Sequence, residues 1–178
     1  MNYIFSAIFL YFFLGFLLYI FQRRIIFNKS GHPGTPKDYN LDNTEEIYIK
    51  TEDNLELLSW YYKGDNSLPL LVYFHGNSFH IGDRAYRIQR YIEKNWSVLL
   101  VSWRGFGGNK GNPTEKNLYK DSEAVLKWIK NNTEFKFKEL VIYGKSLGSG
   151  AAVEIGTKYK FLSIVLEAPF TSINDIAK

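Results

Sequence analysis

Residues Tyr143–Gly150 read YGKSLGSG and directly follow the apolar run Leu140-Val141-Ile142. A G-x-S-x-G run in that setting is the pattern of a nucleophile elbow: a strand ends, the chain turns too tightly for side chains at Gly144 and Gly148, and a helix begins. Ser146 then stands at the tip with its hydroxyl exposed over a helix N-terminus. The pattern requires a strand that feeds a helix, and it points to acyl transfer through a covalent serine intermediate. Small residues at Gly150, Ala151 and Ala152 let the helix pack closely on a sheet. The alternative is a serine at an ordinary glycine-rich turn of a nucleotide-binding fold. The spacing gives neither G-x-G-x-x-G nor a full eight-residue P-loop frame.

The chain around the elbow alternates between strand and helix patterns. Glu45–Thr51 and Leu55–Tyr62 read as an antiparallel hairpin turning at Glu52-Asp53-Asn54. Pro69–Phe74, Ser97–Trp103 and Phe161–Leu166 are short continuous apolar runs, expected of strands covered on both faces, and Glu139–Tyr143 is the strand into the elbow. Helices are expected from Asp83, as cap, to Lys94, with Ala85, Ile88 and Ile92 inward, and from Thr114 to Asn131, with Leu118, Ser122, Val125 and Ile129 on one stripe. Leu147–Tyr159 is the elbow helix, and Ser172–Lys178 reads as a helix barely begun. A hairpin followed by alternating strands and helices predicts an α/β fold with a mainly parallel sheet.

At the N-terminus, Tyr3–Phe21 is 19 residues without a charge, interrupted only by Ser6 and Gly15. As a helix it spans roughly 28 Å, close to the hydrocarbon thickness of a bilayer, with aromatics near both ends. A cleaved signal peptide is disfavoured because Met1-Asn2 carries no basic side chain and no A-x-A site follows. A core helix would need protein on every side. The expected organisation is therefore a transmembrane anchor with basic flank at 1–24, a Gly/Pro-rich lead-in at 25–44, and an α/β domain portion at 45–178. Arg23-Arg24 favours a cytoplasmic domain. The 22 Lys/Arg are scattered, which argues against a nucleic-acid partner, and the absence of cysteine excludes disulfides, thiolate zinc sites and cysteine catalysis. The row Arg84, Arg87, Arg90 reads as a solvated basic face, with contact to anionic lipid headgroups as the alternative.

Acyl transfer also needs two backbone N–H groups aimed at the developing oxyanion. Leu147, the residue after the serine, supplies one naturally. His75-Gly76-Asn77, at the end of the PLLVYF strand, supplies the other from Asn77 or Ser78, because Gly76 allows close backbone approach. His75 is expected to be a hydrogen-bonded strand-end residue rather than a proton carrier.

The set YFHGNSFHIGDR (73–84), SWRGFGGNKGNPTE (102–115), YGKSLGSG (143–150) and LEAPFTSINDIA (166–177) resembles the α/β-hydrolase superfamily. Within it the chain is similar to the membrane-anchored Bem46-like serine hydrolases, which also open with an apolar anchor and a Gln-Arg-Arg-type segment, here Gln22-Arg23-Arg24. The resemblance implies Ser146 as nucleophile and the amides of Asn77 and Leu147 as oxyanion hole. It implies Arg104-Gly105 as a structural turn with Asp121 on a helix nearby, and no metal or organic cofactor. The acyl-bearing substrate would be a small molecule, a lipid or an acylated protein.

The chain departs from the family in one respect. The family triad runs Ser, Asp/Glu, His, and only 32 residues follow Ser146, none a histidine. His32, His75 and His80 all precede it, and Asp175 falls in the segment the family uses as lid or next helix. Without a base the 178 residues are expected to be inactive, with Phe161–Leu166 left as an apolar edge. Three readings stay open. They are an inactive truncated product, a piece of a longer or two-chain enzyme completed by a C-terminal fragment, and a membrane-bound binding or scaffold protein with a hydrolase-derived fold.

Overall fold

The computed structural model describes residues 2–26, 28–29 and 31–170. In chain order it forms α1 (Asn2–Ile26), β1 (Asn28–Lys29), β2 (Thr44–Lys50), β3 (Glu56–Tyr62), β4 (Leu70–Phe74), β5 (Ser78–Phe79), α2 (Ala85–Glu93), β6 (Ser97–Val101), α3 (Glu115–Asn132), β7 (Leu140–Lys145), α4 (Leu147–Lys158) and β8 (Ser163–Glu167). Six strands make one sheet in the order β2-β3-β6-β4-β7-β8. β2, β3 and β6 are antiparallel to their neighbours in turn, while β6, β4, β7 and β8 run parallel.

The continuous apolar runs are explained by cover on both faces, since every residue of β4 and β6 is buried. Val72, Phe74, Leu99, Val101 and Ile142 face α3 and α4, meeting Val125, Ile129, Ala152 and Ile155. Leu71, Tyr73, Val98 and Leu100 face the other way, onto Ala85 and Ile88 of α2. The expected stripe Leu118, Ser122, Val125 and Ile129 is the buried side of α3, whose N-cap Thr114 accepts the Asn117 N–H at 3.2 Å.

Three expectations need correction. Asp83 does not cap α2. A 3-10 turn at Ile81–Arg84 intervenes, and the Asp83 carboxylate accepts the His80 N–H at 3.2 Å, so it closes that turn instead. β8 is not covered on both faces: Ile164, Val165 and Leu166 are 38–39% exposed, because β8 is the sheet edge among the described residues, as the apolar-edge expectation had it. The lead-in is partly packed rather than loose. Pro36–Tyr39 forms a 3-10 turn, Leu41 is buried, and the Tyr39 ring lies 5.5 Å from that of Trp60. Packing against Trp60 outweighs the local Gly/Pro signal there. The expected helix at 172–178 and Asp175 lie outside the described residues, as do the side chains of Arg23 and Arg24. In α1, none of the apolar span Tyr3–Gln22 is buried against the other described residues, and the span is long and apolar enough to cross a membrane.

Candidate active site

Chain order against strand order locates the site. From β4 the chain passes through α2 to β6 on one side. From β6 it crosses through α3 to β7 on β4's other side and continues outward through α4 to β8. Neighbours β4 and β7 thus send their C-terminal connections in opposite directions, and a crevice opens at such a switch point. His75-Gly76-Asn77 leaves one strand there and Ser146 leaves the other.

The register pairs Phe74 with Gly144, so Gly76 falls beside Ser146. A Cβ placed on Gly76 would sit 3.5 Å from the Ser146 Cβ. Ser146 has φ 46 and ψ −115, a backbone state that a side chain rarely adopts and that persists only where its surroundings enforce it. Here they do. The Ser146 N–H donates to the Glu167 carbonyl at 2.8 Å, and its own carbonyl accepts from the Ser149 N–H (2.8 Å) and hydroxyl (2.6 Å).

The flanking glycines are needed for close approach more than for turn tightness. A Cβ at Gly144 would come within 2.6 Å of the Gly148 carbonyl oxygen, and one at Gly148 would overlap the carbonyl oxygen of Phe74. The first turn of α4 is therefore seated on the end of β4, with Gly148 against the backbone of Phe74 and His75. A surface groove lies elsewhere, between β2 and α3, lined by Tyr48, Lys50 and Trp128 among others.

The histidines are occupied with structural tasks. His75 is fully buried, its Nδ1–H donating to the Gly76 carbonyl at 2.6 Å while Nε2 accepts from the Trp103 N–H at 3.4 Å. The Trp103 indole N–H returns a bond to the His75 carbonyl at 2.9 Å. His80 Nδ1 lies 3.0 Å from the Asp83 carboxylate, and His32 Nδ1 accepts the Gly34 N–H at 3.1 Å. The sequence reading of His75 as a strand-end hydrogen-bonding residue matches this geometry.

Burial pulls the His75 imidazole down to about 4 from its ordinary 6.5. The folded protein then refuses, until pH falls to about 4, a proton that the unfolded chain accepts near 6.5. The stability held by the neutral ring is full above pH 6.5 and lost toward pH 4, about 3 kcal/mol in total. Urea unfolding between pH 6.5 and 5, where ordinary carboxylates scarcely titrate, should show stability falling by about 1 kcal/mol per pH unit as the pH is lowered. A flat profile there would mean that His75 is neither buried nor neutral.

Two ionic clusters join residues distant in the chain; the resemblance set Asp121 near Arg104, but neither Asp53 nor the partners of Glu167 were anticipated. Glu167 accepts from Tyr143 Oη (2.6 Å), Lys145 Nζ (2.7 Å) and Arg87 Nη1 (3.0 Å), and its backbone carbonyl holds Ser146. Burial works against the Glu167 charge, but the Lys145 and Tyr143 hydrogen bonds and the Arg87 charge keep its carboxyl below the usual range. Arg84 donates to the Ser78 carbonyl at 2.9 Å, so of the expected arginine row only Arg90 stands simply exposed. At the turn after β6, buried Arg104 meets Asp121 (2.6 Å) and Asp53 (2.7 Å), joining the hairpin turn to α3. Apart from that resemblance, the available signal was a charge at the end of an apolar run, as at Arg104 and Glu167. Among the described residues no group of three or more His, Asp or Glu is placed to hold a metal.

A mainly parallel sheet with a serine elbow at its switch point defines the α/β-hydrolase class. Residues 66–177 match the Hydrolase_4 family, described as serine aminopeptidase S33, and the chain belongs to that family. It is 32% identical to protein bem46 of Schizosaccharomyces pombe over 92% of this chain and 58% of that protein. It is 29% identical to a membrane protein of Saccharomyces cerevisiae over 89% of this chain and 58% of that one. A Pyrococcus furiosus esterase superposes with a TM-score of 0.67 at 25% identity, covering 80% of this chain and 58% of the esterase. The chain thus spans a little under three-fifths of the length of these relatives.

Proposed function

We propose that the protein is a membrane-anchored serine hydrolase acting on an ester, thioester or amide. Ser146 attacks the acyl carbonyl, the amides of Asn77 and Leu147 hold the oxyanion, and water releases the acid from the acyl-enzyme. The observation that carries this is the Ser146 backbone, held at φ 46 and ψ −115 between β7 and α4 beside the Gly76 loop. An ordinary glycine-rich turn has no need to hold a serine in that state. The likeness to a solved esterase supports the reaction class.

Anchoring is supported by the uncovered apolar span Tyr3–Gln22 and by a yeast relative described as a membrane protein. Arg23-Arg24 favours a cytoplasmic catalytic portion. Since all three histidines are engaged away from Ser146, the base and its orienting acid come, in this reading, from residues beyond those described or from a complementing fragment. The 178 residues alone would then be inactive.

Fluorophosphonate labelling of native membranes tests the reading. A labelled band that carries this sequence supports it, and the mass of the band shows whether further sequence completes the site. Absence of label on protein shown to be present and folded favours a binding or scaffold role.

A further inference from the structure

The segment that leaves the apolar helix pairs with the loop that leaves the oxyanion strand. β1 and β5 form a two-stranded parallel sheet in which Asn28 is opposite Ser78 and Lys29 opposite Phe79. β1 starts two residues after α1 ends, and β5 starts directly after Asn77. Backbone lengths and strand spacing therefore limit the Ile26–Asn77 Cα separation to about 16 Å. That is roughly the reach of a headgroup layer plus a few methylenes.

Phe79 has φ 63, a state uncommon for an aromatic residue, and it is held by its place in this short sheet and by the Arg84 bond to the neighbouring Ser78 carbonyl. Phe79, two residues past Asn77, is 52% exposed, and Tyr86, on the first turn of α2, is 62% exposed. Exposed aromatics beside a membrane span suit the bilayer interface.

We propose that β1 is a strap that seats the Phe79–Tyr86 rim on the bilayer surface, so that the site takes its acyl chain from the membrane rather than from solution. The proposal rests on the serine-hydrolase reading and narrows its substrate to esters or thioesters whose acyl chain resides in the bilayer. The strap makes this more than a tether: a flexible leash would let the body turn any face to the membrane, whereas pairing at Ser78 presents the oxyanion rim.

The 178 residues hold no cysteine, so one introduced thiol is the only one among them. Fluorophores at Phe79→Cys, Tyr86→Cys and Asn131→Cys of the full protein in vesicles would be challenged with a nitroxide in the lipid headgroup. Asn131 is exposed at the end of α3, which leads to the opposite end of the sheet. Labels at 79 and 86 should lose most of their emission and the label at 131 should keep it. Equal quenching at all three, or none at 79 and 86, overturns the placement.

In the same vesicles, a long-chain acyl ester should be preferred over its short-chain soluble analogue by about tenfold or more in kcat/KM, as burial of two or three methylenes supplies. Equal kcat/KM overturns the substrate class. Absence of Ser146-dependent turnover on both esters overturns the hydrolase reading, while the quenching result reports placement independently.

Discussion

Replacing Ser146 by alanine should lower acyl-ester turnover of the intact protein by about 10⁴- to 10⁶-fold and abolish fluorophosphonate labelling. The size follows from the chemistry: without the hydroxyl there is no acyl-enzyme, and what remains is the polarising effect of the oxyanion amides, about 10³-fold over water. The fold should barely notice. Ser146 enters the structure through its backbone, by the N–H bond to Glu167 and the bonds its carbonyl accepts from Ser149, all of which alanine keeps. The strained φ is common to both residues. A melting temperature within about 2 °C of wild type is expected. Turnover within tenfold of wild type, in protein that melts normally, would show that another group attacks the substrate.

Asp121→Ala should produce the largest loss of stability, about 3–5 kcal/mol against a total that for most domains is about 5–15. Asp121 is fully buried and takes three bonds from Arg104: from the backbone N–H at 3.1 Å, Nε at 2.8 Å and Nη2 at 2.6 Å. Removing it leaves a guanidinium, itself 2% exposed, with its Nε and inner face unpaired and only the partly exposed Asp53 as partner. Asp53 cannot compensate, since it already engages the outer nitrogens and is itself more than a third exposed on its side chain. Its own replacement should cost under about 1 kcal/mol. The melting temperature of Asp121→Ala should fall by roughly 10 °C. Combining Asp121→Leu with Arg104→Met should restore much of the loss, because the penalty lies in the unpaired buried charge rather than in the missing attraction. A fall smaller than about 1 kcal/mol for the single change would show that water reaches Arg104. The effect bears on the site because Trp103, next to Arg104, holds His75 at both its ring and its carbonyl.

What was legible in advance can be judged residue by residue. The elbow was legible because its requirements are local: Gly144 and Gly148 flank Ser146 between a strand pattern and a helix pattern, and the structure joins β7 to α4 there. The His75-Gly76-Asn77 loop was legible as a strand end carrying a glycine, and its position beside Ser146 follows from strand order. Asp83 was misread because a capping side chain looks the same in sequence before an α-helix and within a 3-10 turn. The arginine row was misread because residues three apart share a helix face only if all lie on the helix, and Arg84 precedes it.

Periodicity, turn chemistry and the serine elbow are written in contiguous residues, so the sequence by itself determined the α/β class, the order of elements, the apolar N-terminal span and the identity of the candidate nucleophile. Partners distant in the chain were decided only in the tertiary structure. Arg104 finds Asp53 51 residues away, Arg87 finds Glu167 80 residues away, and Asn28 lies opposite Ser78. The physical reason is common to these cases. Local pattern dictates backbone state and which side of an element is apolar, whereas burial and charge pairing depend on which other segment arrives at that side.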